Sequence, residues 1–282
     1  MKPRLASKSD LPTLKNLWYE CFLEHDSQES IDYYFENKFI LENTFVLEVN
    51  DEIVTSLQLN QHDLVYNNKI EPVSFVVGVA TFKIHRQKGY MRVLLDYAIE
   101  YAKKEYKQNY MILQAYDWAV YRSFGFEEAY YKYRSNLEIS DLNNIETTEL
   151  LEYDDSKMLA IYQDYTKKLN GYKKRDLSYF KELKESATID NIEVALSNDS
   201  YVYYKKVNGV LDISECAYTN FNDVLMIIKT LVTADITSVT LVSDLVNYDK
   251  HFEGQKELDM MVLNLNKNKF EISENLYISE VI

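Results

Sequence analysis

Apolar residues at the start of the chain recur on a helical period. In residues 9–24, SDLPTLKNLWYECFLE, spacings of three and four put Leu11, Leu14, Leu17, Trp18, Cys21 and Phe22 on one face. Ser9 or Asp10 suits the cap and Pro12 the first turn. A second helical patch, IDYYFENKF, follows. Next, TFVLEV and IVTSLQL, separated by Asn50-Asp51-Glu52, predict a hairpin. Past the turn at Asn67-Asn68, EPVSFVVGVATFKI is rich in β-branched and aromatic residues and predicts a strand. Helical spacing returns with Met91, Leu94, Leu95, Ala98, Ile99 and Ala102, and that segment ends in lysines, which favour a helix C-terminus. YMILQA predicts a short strand, DWAVYRSF a short helix and GFEEAYYKYRSNLEI a strand. The predicted order is α-α-β-β-β-α-β-α-β.

The acidic run DLNNIETTELLEYDD, residues 141–155, has no strong period and predicts a linker over residues 141–153. Beyond it the same order of elements recurs. DSKMLAIYQDYTKKLN and SYFKELKESA are helical, IEVALSN is a strand, and YVYYKKV-NG-VLDISECAY is a hairpin signalled by Asn208-Gly209. FNDVLMIIKTLVTA is helical, and SVTLVSD and LDMMVLNLN are strands. Element order alone therefore predicts a duplicated α+β architecture with domains at 1–140 and 154–282, since the halves share no visible sequence similarity.

Charge narrows the range of partners. The formal net charge is −14, from 45 acidic and 31 basic residues. Phosphate neutralisation needs clustered Lys and Arg, so a nucleic-acid partner is not expected. An acidic surface attracts cationic substrates, and it also simply keeps a protein soluble. The run KKLNGYKKR, residues 167–175, fits a solvated charged turn better than an anion-binding patch. With two distant cysteines and four histidines, neither a disulfide framework nor a metal site is expected. Cys21 and Cys216 are predicted to be small core residues. The N-terminus is charged and no run of about eighteen apolar residues occurs, so a soluble cytoplasmic protein without a membrane partner is expected.

The candidate chemistry begins at HRQKGYMR, residues 85–92, where a strand feeds a basic turn and then a helix. Backbone N–H groups in the first helical turn lack internal partners and favour an anion. Gly89 permits close approach of the backbone, and Arg86, Lys88 and Arg92 add cationic donors. The chemistry suits a pyrophosphate, although a solvated basic turn would share this composition. GxxxxGK[ST] and GxGxxG are both absent. Carboxylates and an imidazole at Glu20, Glu24, His25 and Asp26 could take a proton or simply face water. Trp18 and Phe22 are predicted to pack in the core, while Tyr33, Tyr34 and Phe35 are candidates for a cleft wall.

A strand, then R-x-x-G-x-x and an amphipathic helix, resembles the acetyl-CoA site of the GNAT acetyltransferases, and the order of elements is also theirs. GVATFKIHRQKGYMR, followed by AYDWAVYRSFGF, resembles the Eis (enhanced intracellular survival) branch. VLDISECAYTNFNDVLMIIKTL adds a likeness to that branch's second domain. The resemblance implies two tandem GNAT folds with mixed central sheets flanked by helices. The catalytic domain would be residues 1–140, and 154–282 a second domain without a coenzyme motif. The branch continues into a sterol-carrier-like domain whose terminal carboxylate serves as a proposed base. Ile282 stands where that domain would begin, so a chain lacking it is expected and the role is not carried over.

The same resemblance implies roles for individual residues. Val79, Ala80 and Thr81 would pair with the pantetheine arm, and Gln87, Lys88, Gly89, Tyr90, Met91 and Arg92 would wrap the pyrophosphate. Tyr116 and Asp117 match a further coenzyme-contacting position, although Tyr116 departs from the small residue usual there. Tyr121 matches the general acid that assists the leaving thiolate, while Phe124 and Phe126 are predicted to be core. Glu24, His25 and Asp26 are candidates for the substrate side. The implied reaction moves an acetyl group from acetyl-CoA to a primary amine of a cationic small molecule, without a metal, by direct attack in a ternary complex. A protein or peptide amine acceptor, or a non-catalytic acyl-CoA-binding module, are the alternatives. Homo-oligomerisation stays open.

Overall fold

The computed structural model describes residues 1–244, 253–273 and 275–278. The chain divides into two compact units. The first comprises Met1–Leu64, Ile70–Glu128 and Met260–Glu271, the second Val65–Lys69, Ala129–Asp259 and Ile272–Ile282.

The first unit opens with a strand that hydrophobic patterning does not predict, β1 (Lys2–Leu5). It is four residues long, contains Pro3, and pairs antiparallel at the sheet edge with β2 (Thr44–Val49), where proline is tolerated. Tertiary contacts hold it in place: Arg4 pairs with Asp10 at 2.7 Å and Glu48 at 2.9 Å. The sheet continues through β3 (Glu52–Tyr66) and β4 (Lys69–Thr81) to β5 (Tyr110–Leu113). Asn50 and Asp51, with φ of 51° and 64°, make the predicted hairpin turn between β2 and β3. Helices α1 (Leu11–Phe22), α2 (Gln28–Tyr33), α3 (Tyr90–Lys104) and α4 (Trp118–Arg122) follow the predicted pattern. Strands β4 and β5 run parallel across α3, and residues 261–264 return to pair antiparallel with β5. Phe45, Leu57, Val76, Leu94, Leu95, Ala98, Met111 and Met261 belong to one buried cluster that joins α3 to the sheet.

The second unit carries β6 (Glu127–Glu138) from Ala129 onward, α5 (Asp155–Tyr165), β7 (Tyr172–Lys173), α6 (Leu177–Ile189), β8 (Glu193–Leu196), β9 (Ser200–Val207), β10 (Val210–Tyr218), α7 (Phe221–Leu231), β11 (Ser238–Ser243) and β12 (Glu253–Asn264) as far as Asp259. Strands β8, β9 and β10 form an antiparallel meander, and β10 pairs parallel with β11 across α7. A meander followed by a parallel strand-helix-strand crossover thus occurs in both units. The structure is α+β, with a mixed sheet flanked by helices. Asn208 and Gly209, with φ of 51° and 80°, form the turn between β9 and β10.

Arg175 corrects the reading of KKLNGYKKR as a solvated turn. Its side chain is 0% exposed and makes two bonds to Glu215, at 2.6 and 2.9 Å. The rings of Tyr162 and Tyr179 lie 4.4 and 4.5 Å from the guanidinium, and Tyr201 donates to Glu215 at 2.9 Å. Charge composition cannot reveal this, because the partner carboxylate lies 40 residues away.

Candidate active site

The site is built where β4 outruns β5. Their parallel register ends at Val76 and Leu113, and two residues later Gly78 takes φ of +60°. A Cβ there would sit 2.3 Å from Cζ2 of Trp18, so both the backbone and the indole demand glycine. A left-handed residue within a strand re-aims the segment after it. Val79, Ala80 and Thr81, the next three residues, line a groove open to solvent.

The loop after β4 reaches the same groove. A short turn at Lys83–His85 leads to Gln87, with φ of 62°, and Gly89, with φ of 76°, at the N-cap of α3. Nothing lies within 4 Å of a Cβ built on Gly89, so the loop is open on that side. The groove is lined by Gln87, Gly89, Tyr90, Met91 and Arg92. First-turn N–H groups at the head of a fifteen-residue helix, together with Arg92, make this end anion-attracting. Arg92 is fixed by a 2.7 Å bond to Ser123 Oγ and stacks 4.3 Å above the Phe124 ring.

Other predicted residues stand apart from the groove lining. Lys88 turns away and donates from Nζ to the Ile84 carbonyl at 2.9 Å. Asp117 caps α4 by accepting from the Ala119 N–H at 3.0 Å. Tyr116 is 83% exposed and stacks on His25 at 5.0 Å, just past the end of α1. The His25 and Asp26 N–H groups donate to the Phe22 carbonyl, and neither they nor Glu24 line the groove. Tyr121 lies on α4 next to Val120, a lining residue, but its ring packs edge-on against Phe126 at 6.1 Å. Burial, then the charge of Asp117, push the Tyr121 hydroxyl up to about 12.

Several lining residues escape the sequence reading. Cys21, predicted as core, is partly exposed in the groove, where its thiol donates to the Thr81 carbonyl at 3.5 Å. Phe22 and Phe124, also predicted as core, line the groove with His85 and Val120, beside Arg86, a predicted cationic donor. Periodicity correctly puts Cys21 and Phe22 on the inward face of α1, but it cannot distinguish a core from a cleft. Cys216 is buried and Phe126 is 2% exposed, as predicted. Tyr34, a predicted wall residue, is stacked on Trp18 at 4.6 Å, and its hydroxyl accepts from Asn60 at 3.2 Å.

Residues 2–129 match the family model described as an acetyltransferase (GNAT) domain. Solved structures with the same fold cover nearly the whole chain. A protein of Enterococcus faecalis V583 described as a probable N-acyltransferase aligns with a TM-score of 0.78 at 13% identity, over 94% of this chain and 72% of that one. A GCN5-related N-acetyltransferase from Anabaena variabilis gives 0.76 at 16% identity, over 94% and 73%. Eis1 from Mycobacterium abscessus gives 0.70 at 13% identity, over 94% and 74%. No curated protein matches the sequence. Among the described residues no helix is long and apolar enough to cross a membrane, and no His, Cys, Asp or Glu cluster of metal-binding type occurs.

Proposed function

We propose that the protein is a cytoplasmic acetyl-CoA-dependent N-acetyltransferase of the Eis-like branch, acting on a primary amine of a cationic small molecule. One observation carries the reading. Three residues beyond the left-handed Gly78 of β4 and the N-terminal loop of a long helix face a single groove. Residues 79–81 would hold an extended pantetheine arm by strand-like backbone bonds, with Gln87 and Gly89 to Arg92 at the pyrophosphate. The coenzyme supplies the activated acetyl group. The acceptor ammonium gives one proton to bulk water, the neutral amine attacks the acetyl carbon, the carbon–sulfur bond breaks to release the thiolate, and the extra proton on the new amide nitrogen passes through water to the sulfur. Tyr121 stays protonated at neutral pH with its hydroxyl near 12, whereas a thiol titrates at about 8.5. Its role is therefore to hydrogen-bond the developing thiolate, not to surrender its proton outright. The domain assignment proposed with this is residues 1–140 catalytic and 154–282 a second GNAT-like domain without a coenzyme loop.

A second reading rests on Tyr121 and residues 24–26 standing outside the groove lining: an acyl-CoA-binding module without turnover. Isothermal titration with acetyl-CoA, paired with thiol release across aminoglycosides, polyamines and lysine peptides, separates the two. Turnover that falls in Tyr121→Phe supports the enzyme, and the best acceptor class decides between small molecule and peptide. Binding without release for any amine supports the module, and no binding overturns both.

A further inference from the structure

The loop that would receive the coenzyme pyrophosphate is fastened to α1 by Glu20, which lies outside the groove lining, and by Cys21 and Arg86, which are part of it. Glu20 Oε1 accepts the backbone N–H of Lys83 at 2.5 Å, the first residue of the turn that leaves β4. Its neighbour Cys21 donates to the carbonyl of Thr81, the last residue of β4, at 3.5 Å. From the far side of the turn, Arg86 Nε donates to that same Thr81 carbonyl at 3.1 Å, and Nη2 reaches Cys21 Sγ at 3.5 Å. Two consecutive residues in the last turn of α1 thus grip the loop at its root and its first turn. Both gripped residues, Thr81 and Lys83, precede the left-handed positions Gln87 and Gly89.

The sign of the charge makes Glu20 informative. A carboxylate beside a loop built to receive a pyrophosphate opposes the incoming anion. Its presence is explained if the bond it accepts contributes more than the repulsion costs. Hydrogen bonds to ionised acceptors are among the stronger ones, and a preformed loop loses less entropy on binding than one that must be ordered by the ligand. Just beyond Cys21, α1 ends at Phe22, whose carbonyl accepts the N–H groups of His25 and Asp26. The same helical turn therefore touches the coenzyme loop and leads into the candidate acceptor-side residues.

We infer that Glu20 is a positioning residue: it holds the coenzyme loop in its binding shape and couples that loop to the last turn of α1. This rests on the proposed coenzyme site and is tested separately from it. Wild-type protein, Glu20→Gln and Glu20→Met are titrated with acetyl-CoA. Glutamine keeps an acceptor oxygen without the charge, while methionine keeps the length without an acceptor. The expected result is a Kd within about twofold of wild type for Glu20→Gln and about tenfold weaker for Glu20→Met, the loss of one charge-assisted bond. In hydrogen exchange, coenzyme A should slow residues 20–26 together with 83–89 in wild type, and only 83–89 in Glu20→Met. Lys83→Pro removes the donor at a first-turn position that proline suits, and it provides a second route should Glu20→Met not fold. It should weaken binding alone and add nothing to Glu20→Met. Tighter or unchanged binding in Glu20→Met would mean that Glu20 acts only as a nearby charge, and the inference fails. If wild type binds no acetyl-CoA, the coenzyme reading fails first and the inference with it.

Discussion

Gly78→Ala probes the device on which the groove depends. The residue sits in β4 at φ of +60°, and an added Cβ would lie 2.3 Å from the Trp18 indole. The ring cannot swing aside easily, because it stacks on Tyr34 at 4.6 Å and meets Phe22 and Phe35 edge-on at 5.1 and 5.4 Å. Left-handed backbone at a non-glycine residue costs about 1–2 kcal/mol, and overpacking a filled core about 1–3. The sum is about 2–5 kcal/mol, a large share of a typical domain's stability of about 5–15 kcal/mol. With a urea m-value of about 2 kcal/mol per molar, the midpoint should fall by about 1–2.5 M. Adding Trp18→Leu should recover the clash but not the strain, giving a favourable coupling of about 1–3 kcal/mol in a double-mutant cycle. Acetyl-CoA binding should weaken as well, since residues 79–81 lose their aim. A Gly78→Ala midpoint within about 0.25 M of wild type, with no coupling to Trp18, would refute the reasoning.

Arg175→Met should destabilise the protein by about 3–5 kcal/mol in urea titration by stranding a buried carboxylate, and Glu215→Leu on top should restore much of the loss. Tyr121→Phe should lower kcat about tenfold to a hundredfold with little change in the Kd of acetyl-CoA; because burial holds this hydroxyl near 12, a pH–rate profile should show no loss from its ionisation below about pH 10. The Arg4 hydrogen bond, foremost, lowers Asp10 to about 2, so its contribution to stability is present above the ordinary value of 3.8 and is lost as pH falls towards 2. Asp10→Asn should remove that part of the acid dependence, followed by fluorescence-detected unfolding. A maleimide should label Cys21 and spare buried Cys216, and acetyl-CoA, whose sulfur is blocked as a thioester, should protect Cys21; equal labelling with and without it would count against the groove assignment.

Hydrophobic period and turn chemistry determined most of the elements of both units, the parallel crossover helices α3 and α7, and the hairpins at Asn50-Asp51 and Asn208-Gly209. These are local properties: three- and four-residue spacing fixes a helix face, and asparagine and glycine admit a left-handed turn. The basic turn before α3 was equally legible, because its chemistry lies within eight consecutive residues. Tertiary structure decided the rest, wherever the cause was distant in sequence. Arg175 looks solvated until Glu215 arrives from 40 residues away, and β1 forms only because β2 and an Arg4 ion-pair cluster hold it. Cys21 and Phe22 carry the same inward-facing signal whether they meet a core or a groove. Gly78, one glycine among strand-forming residues, became the pivot of the site only when Trp18 came to lie against it.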